Sequence, residues 1–554
     1  MKPAEFFRPR LFDTLRGYNR PLFLADLTAG FTVGIVALPL AIAFAIASGV
    51  KPEAGIFTAI IAGFIISALG GSRVQIGGPT GAFIVIVYGI VVQYGLANLL
   101  ICTIMAGFML LLMGLFKLGS LIKFIPRPLV IGFTNGIAVL IALSEVKDFL
   151  GLKTASLPAE FSHKLAALYH ALPSVDPLTF ALATVSMLLI LFYPKTWAQR
   201  LPSPIVALVL GTAVVALFDL PLETIGTKFG GIPQGLPSFD MPEFTFATLR
   251  HLFSPALTIA LLGAIESLLS ATVADGMIDD KHDPNQELVA QGIANIVTPF
   301  FGGIPATGAI ARTATNVRAG ANSPVSGMVH ALTLLVIILV AAPLAKHIPL
   351  ATLAAILMVV ALNMGEWDAF TTLKKYPRSD SAVLLITFML TVVFDLTVAV
   401  EAGMLMAVLF FIRRITDLTH VSVAEEASYE DNETAPQSRK AVPQGVMVYR
   451  VYGALFFGAA DKLETILRQQ QAEPEVLILK MDEVITMDSS ALHTLQSMQR
   501  KLRKNGKHLI LCGAHTQPYF LMHQAGFFDE MGRDNVTANL DSALDRARAL
   551  LERR

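Results

Sequence analysis

The feature that most constrains this chain is a series of apolar runs that follow one another with short breaks from Leu22 to about Ile412. Runs of about 18 to 25 apolar residues, as helices, cross the ~30 Å hydrocarbon core of a bilayer. Of the 554 residues only 15% are charged and 54% are apolar, whereas soluble domains carry about 25% charged residues. The sequence therefore predicts an α-helical, multi-pass membrane protein.

Fourteen membrane segments are predicted, of which the third and the tenth are too short to cross the bilayer. Residues 1–21 form a basic N-terminal segment without a clear cleavage site, and residues 22–420 form the membrane domain. The approximate bounds of the segments are 22–49, 52–70, 79–93, 97–118, 127–145, 176–193, 203–219, 252–275, 286–301, 308–318, 323–345, 348–364, 380–395 and 397–414.

Loop charges predict the orientation, because Lys and Arg favour cytoplasmic loops. With the N-terminus inside, the inner loops carry most of the basic clusters, including Lys374, Lys375 and Arg378, and the pair Arg413 and Arg414 follows the last segment. The outer loops hold scattered lysines. We therefore expect both termini in the cytoplasm and the chain in the inner membrane of a bacterium.

Charge and motif content exclude several function classes. Lys plus Arg and Asp plus Glu both total 42, so the zero net charge predicts no nucleic-acid partner. Two cysteines form neither a disulfide framework nor a cysteine-based zinc site. The chain contains no G-x-x-x-x-G-K-[ST] and no H-E-x-x-H, so neither a nucleotide-driven pump nor a metalloenzyme is predicted. We expect no enzyme activity, no cofactor and no resident metal.

The polar composition after Val421 predicts a linker over 421–442 and a smaller domain over 443–554. Apolar spacing predicts strands at Val446–Leu455, Val476–Met481 and His508–Cys512, and helices at Asp488–Lys504 and Leu540–Leu551. Asp488 is interpreted as a helix N-cap. The alternation predicts a cytoplasmic α/β domain with helices packed on a sheet.

The membrane domain contains an internal repeat. G-G-P-T-G-A-F from Gly77 matches G-G-I-P-A-T-G-A-I from Gly302, an offset of 225 residues, and nearly the same offset carries Leu40 onto Glu266. Two repeats of seven segments predict that the second copy enters the membrane from the opposite side, because seven is odd. Such inverted repeats are typical of secondary transporters.

Gly and Pro just before each short apolar stretch predict two half-helices that begin near the bilayer midplane. Each helix N-terminus presents free N–H groups and about half a positive charge, so two ends that meet from opposite sides form an anion site. The simpler alternative is that Gly and Pro only loosen helix packing. The matched pair favours the anion site.

These segments, together with L-P-L-A-I-A-F at 38–44 and the run G-G-I-P-A-T-G-A-I-A-R-T-A-T-N-V-R at 302–318, resemble the sulfate permease (SulP) family of anion transporters, which includes prestin and pendrin. The C-terminal domain resembles a STAS domain. The resemblance covers nearly the whole chain and implies a fourteen-segment fold in which a core domain moves against a gate domain. It also implies a homodimer and a small-anion substrate, and leaves an anion channel on the same fold as an alternative.

The resemblance implies anion contacts on the first, third and tenth segments and coupling-ion contacts on the eighth. The anion contacts would be Leu40, Ala41, Phe44, Thr80, Gly81, Ala82, Phe83, Ala309, Ala311, Arg312 and Thr313, and the coupling contacts Glu266 and Ser270. Leu40 replaces the glutamate of some dicarboxylate or proton-coupled members. Sodium-coupled bicarbonate members lack an arginine at Arg312 and prefer aspartate at Glu266.

Glu266 and Arg312 each allow two interpretations. A carboxylate deep in an apolar run is costly, so Glu266 should face a cavity, pair or bind a cation. The simpler alternative is a structural pair with Arg312 or a protonated carboxyl that takes no part in transport. Ser270, one helical turn on, could help Glu266 to hold sodium or relay a proton. Arg312 either contacts the substrate or extends its charge sideways to the interface. Sulfate is the first substrate expected, bicarbonate the second and a dicarboxylate the third, with sodium or a proton as coupling ion.

Overall fold

The computed structural model describes residues 8–552 apart from 121–125, 155–156, 159, 199–201, 233–234, 236–245, 376, 395, 419, 424–440 and 456–473. The chain forms two compact units, Met1–Ala407 and Val408–Arg554. The predicted domain bounds remain predictions, and most of the predicted linker 421–442 lies outside the described residues.

Twenty helices precede the first strand of the C-terminal unit. In chain order they are α1 Arg10–Thr14, α2 Arg20–Ala47, α3 Pro52–Leu69, α4 Gly81–Tyr94, α5 Leu96–Leu115, α6 Arg127–Leu150, α7 Phe161–Ala171, α8 Pro177–Phe192, α9 Lys195–Ala198, α10 Ser203–Leu217, α11 Ile225–Phe229, α12 Phe246–His251, α13 Phe253–Ile278, α14 Pro284–Val297, α15 Ile310–Arg318, α16 Val325–Ala345, α17 Leu350–Met364, α18 Asp368–Thr371, α19 Arg378–Val393 and α20 Leu396–Leu418. These counts refer to the residues that the structure describes.

Each predicted membrane segment corresponds to one helix, namely α2 to α6, α8, α10, α13 to α17, α19 and α20. Within the described ranges, seven helices are long and apolar enough to cross a bilayer alone, and the bent pair Phe161–Ser174 and Pro177–Phe192 adds an eighth candidate. The third and tenth segments, α4 and α15, have only 14 and 9 residues. The chain thus has the predicted helical transporter fold with two short helices.

The predicted end of the fifth segment at residue 145 is wrong. The α6 helix continues to Leu150, and Gly151 with φ of 64° ends it. Lys147 and Asp148 lie in this last part of the helix, because charged side chains at the end of a span reach water without breaking the helix.

Small residues bring the long helices close together. The α2 helix packs on α16 at Gly30 and Gly34, where an added Cβ would collide with Val329 and Thr333. Glycines are common where helices cross in membranes, because helix association there depends on close van der Waals contact and not on the hydrophobic effect.

The two glycine-rich segments of the repeat meet directly. Strand β1, Gly77–Gly78, pairs antiparallel with strand β2, Thr307–Gly308. Helix α4 begins three residues after β1, and α15 begins two residues after β2. The antiparallel pairing agrees with an inverted repeat, because each copy arrives at the pairing from the opposite direction.

The C-terminal unit contains a five-stranded sheet in the order β3-β4-β5-β6-β7. Its strands are β3 His420–Val423, β4 Val446–Leu455, β5 Val476–Met487, β6 His508–Cys512 and β7 Val536–Thr537, and its helices are α21 Ser489–Lys504, α22 Thr516–Gln524, α23 Phe527–Met531 and α24 Leu540–Leu551. Strand β3 is antiparallel to β4, and the other neighbours are parallel. The predicted α/β class is correct, while β3 and β7 were not predicted.

Both faces of this sheet are buried by alternate residues of β5. Leu477 and Leu479 pack in the same core as Leu495 of α21, whereas Val476 and Ile478 pack in the core that contains Leu544 of α24. Asp488 accepts a hydrogen bond from the Ala491 backbone N–H at 2.8 Å. Its interpretation as the N-cap of α21 is therefore confirmed.

Candidate substrate site

The first turns of the two short helices lack side-chain caps. Thr80 precedes α4 and Ala309 precedes α15, and neither side chain accepts a hydrogen bond from the helix that it precedes. The first N–H groups of a helix have no partner within the helix. Both ends thus present N–H donors and the positive end of a helix dipole.

Arg312 links the two half-helices. From the first turn of α15, its Nη2 donates a hydrogen bond to the Pro79 carbonyl at 2.7 Å, just before α4. Its Cζ lies 5.8 Å from the centre of the Phe44 ring, and the residue is only 2% exposed. Nη1 has no hydrogen-bond partner among the described residues. The guanidinium is therefore buried at the site, and it does not extend to the interface.

Glu266, on α13, also contacts the start of α4. Its Oε2 accepts a hydrogen bond from the Thr80 hydroxyl at 2.9 Å. In the described part of the chain, Arg312 forms its hydrogen bond with a carbonyl, and no ion pair joins it to Glu266. The alternative of a structural Glu266–Arg312 pair is wrong, because the two charges take different partners, Thr80 and Pro79, which both lie just before α4.

A cavity of about 410 Å³ lies between these ends. Its lining includes Leu40, Phe44, Thr80, Gly81, Ala82, Glu266, Ala309, Ala311 and Arg312, all of which were sequence candidates. The repeat offset had also related Leu40 to Glu266, and both residues line the cavity. The structure thus brings nine of the candidates together around one volume.

Four other candidates lie outside the lining of this cavity. The Ala41 carbonyl lies against Gly55 of α3, and Phe83 packs towards Gly263 of α13. The Thr313 hydroxyl accepts a hydrogen bond from the Ile76 N–H at 3.0 Å and lies 3.1 Å from the Ser270 hydroxyl. These side chains connect helices within the membrane domain, which corrects their placement at the cavity.

Ser270 and Glu266 contact different neighbours for a geometric reason. Residues four apart on an α-helix differ by about 40° around the axis, so they share a face without sharing every neighbour. Glu266 faces Thr80 and the cavity, whereas Ser270 is fully buried against Thr313 of α15. The two side chains therefore do not form the paired cation site that the sequence suggested.

The opposite wall of the cavity was missed from the sequence. It consists of Leu129, Val130, Phe133 and Thr134 of α6, with Val360, Asn363 and Met364 of α17 and Glu366 beyond it. Asn135, next to Thr134, accepts a hydrogen bond from the Glu366 N–H at 2.6 Å and so joins α6 to the end of α17. The polar pair Thr134 and Asn135 inside an apolar run was the available signal.

Glu287 is a second buried carboxylate that the sequence candidates did not include. It lies on α14 and is fully buried. Its Oε2 accepts hydrogen bonds from the Gly71 and Ser72 N–H groups at 3.0 and 3.3 Å. Gln291 and Ser267 donate to Oε1 at 3.1 and 3.3 Å. It thus fixes the loop that leads into β1 and takes no part in lining the cavity.

Comparison with known proteins gives a consistent result over the whole chain. The sulfate permease family matches residues 23–387, and the STAS domain matches residues 437–543. The putative sulfate transporter YvdB of Bacillus subtilis is 46% identical over 528 residues, which cover 95% of this chain and 98% of that protein. The bicarbonate transporter BicA of a Picosynechococcus species is 30% identical, with 94% of each chain covered.

Two solved structures resemble the fold. The transmembrane domain of a cyanobacterial BicA has a TM-score of 0.63 and 32% identity, and the match covers 73% of this chain and all of that one. Murine Slc26a9 in an inward-facing state has a TM-score of 0.86 over 99% of this chain and 95% of its own, at 17% identity, which supports the fold alone. The chain therefore belongs to the sulfate permease family with a C-terminal STAS domain, and it is a multi-pass membrane transporter rather than an enzyme.

Proposed function

We propose that this protein is a secondary active transporter of a small inorganic oxyanion, with sulfate as the first candidate, and that the anion binds between the N-termini of α4 and α15. The observation that carries the proposal is the buried Arg312 at a cavity between two uncapped helix ends, where its Nη1 has no hydrogen-bond partner in the part of the chain that the structure describes. Membership of the sulfate permease family and the similarity to the putative sulfate transporter YvdB support it.

The charge of the site fits a divalent anion. Each helix end contributes about half a positive charge, so two ends and one guanidinium supply about two positive charges. Most of the cavity lining is apolar, so water screens these charges weakly. The N–H groups and the guanidinium fork are also donors that match the oxygens of an oxyanion.

Glu266 is the proposed coupling residue. It lines the cavity at the start of α4 and accepts a hydrogen bond from the Thr80 hydroxyl. When ionised it reduces the positive charge of the site, so a sodium ion or a proton at this carboxylate would strengthen anion binding. This linkage would couple anion flux to a cation gradient.

Bicarbonate is the second candidate substrate. The similarity to BicA extends over 94% of this chain, and Leu40 adds no carboxylate to the cavity. A monovalent anion would use the same helix ends and would depend less on Arg312.

Transport would proceed by movement of a core domain, here α2 to α5 and α13 to α16, against a gate domain, here α6 to α10 and α17 to α20. The cavity lies between these groups, since its walls come from both. We place the protein in the bacterial inner membrane with both termini cytoplasmic, as a homodimer, from the loop charges and the family.

Flux in proteoliposomes tests this function. Labelled sulfate, bicarbonate and a dicarboxylate would each be offered under imposed sodium and proton gradients. We expect saturable sulfate uptake that accelerates with one of the two gradients. Saturable bicarbonate uptake without sulfate uptake would favour the second candidate. Fast, non-saturable flux whose rate does not depend on either gradient would show that the protein is a channel.

A further inference from the structure

The cavity opens towards one face of the membrane domain. Leu129 and Val130 in the first turn of α6 line it, as do Met364 and Glu366 at the end of α17, and the Glu366 side chain is 51% exposed. The 24-residue α6 is about 36 Å long, so its last residue, Leu150, lies at the opposite face. The residues that follow Leu150 therefore lie far from the cavity mouth.

At that opposite face, the half-helix α4 contacts the segment that follows α6. The Tyr88 hydroxyl of α4 donates a hydrogen bond to the Leu157 carbonyl. The Lys164 Nζ of α7 lies 5.2 Å from the centre of the Tyr88 ring, a cation–π contact. One tyrosine of the core domain is thus held by two groups of the segment between α6 and α8.

Neighbouring groups of α6 position Lys164 for this contact. It is 2% exposed, and its Nζ donates a hydrogen bond to the Ser144 hydroxyl of α6 at 3.1 Å. Glu145, which follows Ser144, is a second buried ionisable residue of this region, at 6% exposure. A buried ammonium with few hydrogen bonds is costly, and a cation–π contact is strongest where water is excluded.

The core domain fixes the tyrosine from its other side. Gly49 lies between α2 and α3 with φ of 74°, and a Cβ added there would lie 3.1 Å from the Tyr88 ring. The ring therefore has a defined position against the core domain, while its hydroxyl and one ring face contact the gate domain. Movement of the core past the gate would have to break both gate contacts.

We propose that Tyr88 and Lys164 form a latch that closes the face opposite the cavity mouth and favours the state seen here. The proposal rests on the proposed transport by core and gate movement. Neither residue lines the cavity, so the latch would set the balance between the two access states and leave intrinsic anion affinity unchanged. Breaking it should shift the population towards the state with the mouth closed.

A cysteine reporter tests the latch without any substrate. Thr134→Cys lines the cavity near its mouth, and the native Cys102 and Cys512 are buried. The rate of labelling by a membrane-impermeant maleimide from the mouth side reports the open population. Tyr88→Phe removes the hydroxyl alone and should shift the ratio of the states about 2- to 10-fold, while Tyr88→Leu, which also removes the ring, should shift it further.

Matched variants make the result specific. Tyr94→Phe changes the same helix at a ring that packs against His251 and should leave labelling unchanged. Lys164→Arg should retain the latch, whereas Glu145→Gln with Lys164→Met removes both charges without leaving one buried alone and should weaken it. Unchanged labelling in Tyr88→Phe and Tyr88→Leu, in folded protein, would overturn the latch. Because labelling requires no sulfate, a wrong substrate assignment would not affect this result.

Discussion

At the residue scale, the site depends on two charged side chains of the second repeat that both bond to the start of the half-helix of the first repeat. Arg312 belongs to α15 but bonds the residue two positions before α4, and Glu266 belongs to α13 but bonds Thr80 at the start of α4. Both charged side chains therefore bond to residues at the start of α4. Replacing either one should alter the anion site at that helix end.

Replacement of Glu266 by Gln should change the cation or pH dependence of transport more than the affinity for the anion. The amide keeps a hydrogen-bond partner for Thr80 and removes the ionisable charge. The measurement is sulfate flux over a sodium series and a pH series. Glu401→Gln, at an exposed carboxylate that accepts a hydrogen bond from Ser254, is a suitable control. Wild-type ion dependence with intact flux would make Glu266 a structural residue.

At the residue scale, part of the site could be predicted from the sequence and part could not. Gly and Pro before each short apolar stretch predicted the two half-helices, because a broken helix is a local property of those segments. The resemblance to the family then implied Thr80, Ala309 and Arg312 as contacts on them. Ser270 and Thr313 were misplaced because the rotation of a helix by a few tens of degrees depends on its neighbours. Thr134 and Asn363 were missed because nothing local to α6 or α17 indicates which distant segment they will face.

At the element scale, the pairing of β4 and β5 includes an ion pair that responds to pH. The Arg450 Nε donates to the Glu483 carboxyl at 2.9 Å, and its Nη2 donates to the other oxygen. These hydrogen bonds hold the pKa of Glu483 below its ordinary value. A carboxyl group whose pKa is lower in the folded than in the unfolded protein stabilises the fold at any pH above its unfolded pKa of about 4.3. This stabilisation is lost as the pH falls through the folded pKa.

Glu483→Gln should therefore weaken β4 and β5 at pH 7, and the loss should become smaller at an acidic pH below the unfolded value of about 4.3. Arg450 is 39% exposed, so water screens the pair and the expected loss is below about 1 kcal/mol. Hydrogen exchange of the β4 and β5 amides in the full-length protein, corrected for intrinsic pH effects, measures this loss. Asp529→Asn, at a more exposed ion pair with Arg533, is the control. An equal loss at both pH values would show that charge is not the cause.

At the scale of the whole molecule, the antiparallel contact of β1 and β2 unites the two repeats at their most irregular points. Backbone groups that lack helical partners inside a membrane must be satisfied by other protein groups. Gly77 and Gly78 find these partners in Gly308 and Thr307. The internal match of sequence predicted this meeting, since an inverted repeat brings equivalent segments together at its symmetry axis.

The proposed orientation of the whole chain predicts which cysteines react from outside the cell. A cysteine placed before Lys2, or in the predicted linker 421–442, should resist an impermeant reagent, because the loop charges place both termini inside. His163→Cys should react, since His163 is 69% exposed and lies on α7, in the segment between α6 and α8 that this orientation places outside. The reverse labelling pattern would invert the topology.

The most direct test of the account is the anion affinity of Arg312→Ala for sulfate and for a monovalent anion. Loss of a desolvated, charge-assisted hydrogen bond costs about 1.5 to 3 kcal/mol, so sulfate affinity should fall about 10- to 150-fold and monovalent affinity less. Arg312→Lys should recover part of the loss, because a point charge lacks the guanidinium fork. Arg318→Ala, at the exposed end of the same helix, should bind as wild type. Wild-type affinity for both anions in folded Arg312→Ala would contradict a role for Arg312 in binding.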